Sequence, residues 1–251
     1  MKKFFIVFIL LFALINLSLA QSEKKVDSLS TSKSNIPNII PLYEPIIGSY
    51  KILPTDESHQ DASLVKFIEN LKKCIQYKDT SELFSIIDTA IVLSYGGLQI
   101  GKKVFSKEWN LDSPENSSLW DILKEKIRLG GTFESDGENK YFQFPYAISN
   151  KAFRKLNLFL DPYFSLVCIS SDAKVFIQPD TNSNRIGLLN YDIVRRDINY
   201  RGTGFIKIFS LDNKITGFAL SSDFIGIADR KLIIKKDKNG TWRITSFAPF
   251  D

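Results

Sequence analysis

The hydrophobic period of this chain changes once, at Asp161-Pro162, and that change constrains the fold more than any single motif does. Before it, apolar residues return at helical spacing. Leu64, Phe67, Ile68, Leu71 and Ile75 mark one amphipathic face, and Leu119, Ile122, Leu123 and Ile127 mark another. After it the helical period is gone, and residues 163–169, 174–177, 186–189, 193–196, 204–209 and 215–220 read as short strands separated by turn residues. Helices first and strands afterwards describe an α+β protein: a helical domain with a small sheet, then a small β-barrel or sandwich.

Within the first part, 81–87 reads as a second helix capped by Asp79 or Thr80, and 89–95 as a strand ending at Gly96-Gly97. Residues 99–109 read as a third helix. The helix over 119–127 has polar residues 116–118 for a cap and Gly130-Gly131 for a stop. Phe142, Phe144, Tyr146 and Ile148 alternate as in a half-buried strand, which Pro145 places at a sheet edge. At the far end, 231–236 and 241–247 flank Asn239-Gly240, a strong hairpin signal. The domain limits that follow are 61–160 for the helical α+β domain and 163–228 for the barrel. Hairpin 229–251 is expected to return to the first domain, the alternative being that it extends the barrel.

The N-terminus carries an export signal. Lys2 and Lys3 precede an unbroken apolar run over 4–15, and Ser18-Leu19-Ala20 places small residues where a signal peptidase reads them. The run is too short to span a bilayer, which takes about 20 apolar residues. Gln21 stands where a lipoprotein would have Cys, so no lipid anchor and no membrane span are expected after cleavage. Residues 21–60 form a polar tether followed by a Pro-rich extended arm, with Pro37, Pro41, Pro45 and Pro54 set among Ile, Leu and Tyr. The arm is expected to lie against the domain that follows it. An exposed arm docking on a partner is the alternative.

Charge and chemistry narrow the function. Cleavage removes two lysines and no acids, so a formal charge of +5 becomes +3, too mild to indicate a nucleic-acid partner. His59 is the only histidine and lies in a polar stretch, which argues against His-ligated zinc and Cys-His peptidase chemistry. Gly96, Gly97 and Gly101 lack phosphate-loop spacing. Glu108, Glu115, Asp121, Glu125 and Glu134 supply carboxylates of the kind a glycosidase needs, but they fall on segments that read as solvated. No catalytic residue, metal ligand or cofactor is therefore expected. Cys74 and Cys168 sit in apolar stretches where either a disulfide or two buried thiols fits.

The text Val175-Phe176-Ile177-Gln178-Pro179, Ile186-Gly187-Leu188-Leu189, Tyr191-Asp192-Ile193-Val194, Phe205-Ile206-Lys207-Ile208 and Gly217-Phe218-Ala219 resembles the bacterial Src-homology-3-like domain over residues 165–228. Phe205 and Phe218 stand where that family often has Trp. The resemblance implies a five-stranded barrel and, as in many exported envelope proteins, a groove for peptidoglycan stem peptides or other peptides. Aromatic residues near the groove strands are then the candidate ligand contacts: Tyr191, Tyr200, Phe176 and Phe218. A fainter resemblance links the paired helices, strand 89–95 and Gly240-Thr241-Trp242-Arg243-Ile244 to the nuclear transport factor 2-like cone. Leu111-Asp112-Ser113-Pro114 and Leu129-Gly130-Gly131-Thr132-Phe133 resemble an uncharacterised family of exported bacterial proteins.

These readings converge on a non-catalytic protein of the periplasm or medium whose barrel recognises peptidoglycan or a peptide of an envelope protein. The alternatives are an enzyme or small-ligand binder with a pocket in the first domain, and a structural interaction subunit. Export makes a direct prediction: N-terminal sequencing of the protein recovered outside the cytoplasm should begin at Gln21. An intact Met1 terminus would contradict it.

Overall fold

A computed structural model describes residues 50–97, 99–137, 139–154 and 160–250. The segments read as export signal and polar tether, and most of the Pro-rich arm, lie outside the described residues. After a 3-10 turn at Ser58–Gln60 come α1 (Ala62–Tyr77), α2 (Thr80–Ile86), β1 (Ile87–Ser94), β2 (Gln99–Ile100), α3 (Lys102–Glu108) and α4 (Leu119–Arg128). β3 (Thr132–Ser135), β4 (Lys140–Phe144) and α5 (Asn150–Arg154) follow. Then come β5 (Ser165–Cys168), β6 (Ala173–Phe176), β7 (Arg185–Leu189), β8 (Ile193–Arg196), β9 (Phe205–Ser210), β10 (Thr216–Leu220) and β11 (Phe224–Gly226). β12 (Lys231–Lys236) and β13 (Trp242–Ala248) close the chain.

The helices start where the sequence supplies a cap. The Asp61 carboxylate accepts from the Ser63 and Leu64 amides at 2.9 and 3.2 Å, and Asp79 accepts from the Glu82 amide at 2.9 Å. All five residues of the predicted apolar stripe of α1 are buried, as are Leu119, Leu123 and Ile127 of α4. Two segments differ from expectation. Gln99 and Ile100 do not join a helix; they pair with β1, and Gly101 at φ 101° turns the chain into the shorter α3. Pro145 does not mark an edge strand. β4 ends at Phe144 and lies inside the sheet between β3 and β12, so the proline sits beyond the last paired residue and removes no ladder hydrogen bond. Tyr146–Ile148 form a 3-10 turn instead of continuing the strand.

The first sheet has the order β2-β1-β13-β12-β4-β3. The C-terminal hairpin thus fills its centre: β12 pairs antiparallel with β4, and β13 pairs parallel with β1, Ile87 opposite Ile244. One face carries Phe142, Phe144, Leu232, Ile234, Ile244 and Phe247 onto the apolar stripes of α1 and α4, and all six are buried. Each large apolar side chain removed from water there stabilises by about 1.5–3 kcal/mol. The hairpin is also fastened to α1 by a polar chain. Trp242 Nε1 donates to Ser63 Oγ at 2.9 Å, Ser63 Oγ donates to Asp61 at 2.5 Å, and Lys236 Nζ donates to Asp61 at 2.9 Å.

The strands from β5 to β11 form a second sheet in the order β11-β5-β8-β9-β10-β6-β7. The five-stranded closed barrel expected from the sequence is not what the pairing gives. Seven strands share one sheet, and no pairing between β7 and β11 closes it among the described residues. β11 takes the edge of β5 that closure would need, with Ile225 opposite Val167. The described end of the arm touches both parts of the molecule: buried Ile52 packs with Tyr146, Ala147 and Ile148 after β4, and residues 50–52 also bond to the second sheet. Lys51 bridges Asp192, the Ile52 amide donates to the Tyr191 carbonyl at 2.9 Å, and the Ile193 amide donates to Tyr50 at 2.9 Å. The cysteines are free and held apart in separate cores, Cys74 with the helices and Cys168 in the second sheet.

The Ser63 hydroxyl, then Lys236, holds the Asp61 carboxyl well below the usual carboxylate range. A carboxyl depressed in the folded state adds stability above its unfolded pKa, about 4, and that stability drains away as pH falls below it. Melting temperatures should therefore fall more steeply from about pH 5 to about pH 2 in the wild type than in Asp61→Ala. Equal slopes would remove Asp61 from the account.

Candidate functional site

Three of the four candidate contacts meet on the outer face of the second sheet. Along β10, Gly217 and Ala219 turn inward and are buried, which leaves Phe218 and Leu220 on the other side, half-buried. β9 alternates in register with it: Phe218 lies opposite Lys207 and Leu220 opposite Phe205. On β6, Phe176 is the cross-strand partner of Phe218. Tyr200, from the loop between β8 and β9, sets its ring edge-on to Phe218 at 5.1 Å, and Phe176 meets Phe205 edge-on at 6.2 Å. Edge-to-face aromatic pairs contribute roughly 0.5–1.5 kcal/mol beyond their buried area.

Phe176 is 5% exposed and acts as the floor of this cluster, whereas Tyr200, Phe205 and Phe218 keep part of their rings at the surface. Ile177 and Ile198, 51% and 41% exposed, flank Phe176 and Tyr200 in the chain and add apolar surface. Lys207 stands over the Phe209 ring and pairs with Asp197 at 3.1 Å. The Asn199 amide, followed by Lys207, holds the Asp197 carboxyl below its ordinary value. The loop that carries Tyr200 is therefore tied to β9 by an ion pair.

No known family, curated protein or solved structure matches this chain.

Tyr191 does not join the aromatic face. It sits in the β7–β8 turn at φ 57°, its amide donates to Ser170 at 3.0 Å, and its carbonyl receives the arm. Tyr191 stands instead near the buried Tyr146, whose hydroxyl is raised above its ordinary value by burial and then by Tyr191 and Cys168. Sequence order placed Tyr191 near the groove strands; the pairing carries it to the junction with the arm. Phe205 and Lys207 belong to the face although they were not chosen as contacts. The alternation Phe205-Ile206-Lys207-Ile208-Phe209 is the signal that would have included them.

The groups weighed for catalysis do not converge. Glu108, on α3 beside β1, pairs with Arg230 at 2.5 Å, while Glu134 lies on the far edge strand β3 and pairs with Arg154 at 2.8 Å. His59 is exposed, its Nδ1 2.9 Å from the Asp56 carbonyl oxygen. Burial pushes the Cys74 and Cys168 thiols up to about 12 and about 11, far from a nucleophilic thiolate at neutral pH. No group of three or more His, Cys, Asp or Glu side chains among the described residues is placed to hold a metal ion. The helix-facing side of the first sheet, where a cone-shaped pocket would lie, is occupied by apolar core.

A cleft of about 350 Å³ opens between the arm and the segment Tyr146–Ala152. Its charged groups are engaged with one another or with the sheet: Lys151 pairs with Glu57, and Lys51 pairs with Asp192 at 3.1 Å.

Gly202 fixes how closely Tyr200 can approach. A Cβ at that position would fall 1.9 Å from the Tyr200 hydroxyl oxygen, so any side chain must move the ring. In Gly202→Ala, the Tyr200 ring protons should lose the ring-current shift that Phe218 imposes, while the melting temperature stays close to wild type. Unchanged Tyr200 shifts would show that the contact is not as described.

Proposed function

We propose that the chain is an exported, non-catalytic binding protein. Its second sheet acts as a Src-homology-3-like module that takes a peptide or cell-envelope component such as peptidoglycan on the Tyr200–Phe218–Phe205–Phe176 face. The observation that carries this reading is the convergence of those four aromatics, from three strands and one loop, on one partly exposed surface. A monomeric domain that only needed a core would not place three half-exposed aromatic rings together on the outside of a sheet. Rings with two torsions lose little freedom on binding, and a tyrosine hydroxyl offers a peptide backbone one hydrogen-bond donor.

Such a surface suits weak recognition of a polymer, where many low-affinity contacts add up along the chain. Sedimentation with purified, insoluble peptidoglycan tests it. The wild-type protein should pellet at moderate salt, and Tyr200→Ala and Phe218→Ala should each lower the retained fraction by about tenfold in apparent affinity, as expected for loss of an aromatic anchor. Retention of both variants at wild-type levels, or no retention of the wild type, would discard the wall-binding reading.

A further inference from the structure

The strands of the second sheet carry five basic residues, Lys174, Arg185, Arg195, Arg196 and Lys207, and no acidic one. The six aspartates of residues 163–228 all lie in the connections between strands, and this stretch has no glutamate. Register places four of the five cations on the outer face with the aromatic rings. Arg185 is the cross-strand partner of Phe176, Phe176 of Phe218, and Phe218 of Lys207. Directly opposed residues share a face, so these four make one row of cation, ring, ring and cation over the neighbouring strands β7, β6, β10 and β9. Arg195 lies opposite Phe209, and Lys174, two residues before Phe176 on β6, shares its face. Lys174, Arg185 and Arg195 are exposed and Lys207 is half-buried.

Protection of the sheet edge does not explain this pattern. A charge on an edge strand blocks unwanted pairing, which accounts for Arg185 on β7 but not for Lys174, Arg195 and Lys207 on interior strands. The aspartates of the connections are spoken for elsewhere. Asp197 pairs with Lys207 and Asp212 with Lys214. Asp180 accepts from the Asn182 amide in its own turn, Asp192 is buried against Lys51 of the arm, and Asp172 neighbours Asp223. Arg195 donates to the Asn213 side-chain oxygen, a neutral acceptor. Once Asp197 is set against Lys207, the face keeps the charges of Lys174, Arg185 and Arg195.

We propose that the peptide taken by the aromatic face is an acidic one. Its Asp or Glu carboxylates pair with Lys174, Arg185 and Arg195, and its apolar side chains lie on Tyr200, Phe205 and Phe218. A peptide fits better than a phosphate polymer, because residues 163–228 hold seven basic residues against six acidic ones, and binding a polyanion draws on a large excess of positive charge. The inference rests on the reading of this face as the binding surface and adds the charge of what it binds.

Panning a random dodecapeptide phage library against the immobilised protein tests the two separately. Peptides that the wild type recovers and Tyr200→Ala loses should carry an excess of Asp and Glu over Lys and Arg. Their apparent affinity for the double variant Lys174→Glu, Arg185→Glu should fall by about tenfold or more, as like charges brought together would cause. An unchanged ring-current shift of Tyr200 from Phe218 in that variant certifies the face. Tyr200-dependent peptides with no acidic excess, or equal binding by the double variant, would overturn the acidic assignment and leave the face a binding surface. Acidic peptides that still bind Tyr200→Ala would also overturn it, since they would report ion exchange without the rings. Retention of heparin in place of any peptide would assign the face to a polyanion, and recovery of nothing that depends on Tyr200 would discard both readings.

Discussion

The parallel pairing of β13 with β1 is the contact on which the rest of the molecule depends. It places the last strand of the chain at the centre of the first sheet, with β1 on one side and β12 on the other. Without the hairpin, β1 and β4 have no strand between them, and the apolar stripes of α1 and α4 lose Leu232, Ile234, Ile244 and Phe247 as packing partners. The first sheet is therefore interrupted in sequence by β5–β11 and completed by β12 and β13. Closing contacts such as Tyr95 to Ser246, 151 residues apart, must overcome a large loop-closure entropy before packing compensates for it. The polar staple through Trp242, Ser63, Asp61 and Lys236 fixes the orientation of the returning hairpin on α1.

That arrangement separates two kinds of surface. The second sheet, joined at both ends of its sequence to strands of the first, presents a partly exposed aromatic outer face. The first sheet uses one face for its core and keeps polar groups on the other. The aromatic outer face is the surface we propose for a peptide or polymer.

Much of the fold was legible in the sequence because it rests on local rules. Helical spacing fixed α1 and α4, Asp79 capped α2, and Asn239-Gly240 announced the last hairpin, where Gly240 adopts φ 76°. β2 and β3, two and four residues long, have too little periodic text to stand out. Pro145 misled because its meaning depends on where the ladder stops, which is a property of the partner strand. The closed barrel failed for a related reason: local text identified the strands, but which strand takes the free edge of β5 is a long-range choice made by Phe224–Gly226. Of the candidate contacts, Phe176, Tyr200 and Phe218 share a face because register and alternation agree. Tyr191 is carried away by its turn. The buried polar face of the first sheet was not visible, since a strand such as Lys231–Lys236 shows alternation but not what covers its polar side.

Hydrogen exchange on a chain ended after Asp229 tests the central claim most directly. If the C-terminal hairpin completes the first domain, amides of β1 and of the packed face of α1 should lose protection, while β8 and β9 of the second sheet keep theirs. Protection of Ile91 and Leu93 at full-length levels in the truncated chain would contradict the account.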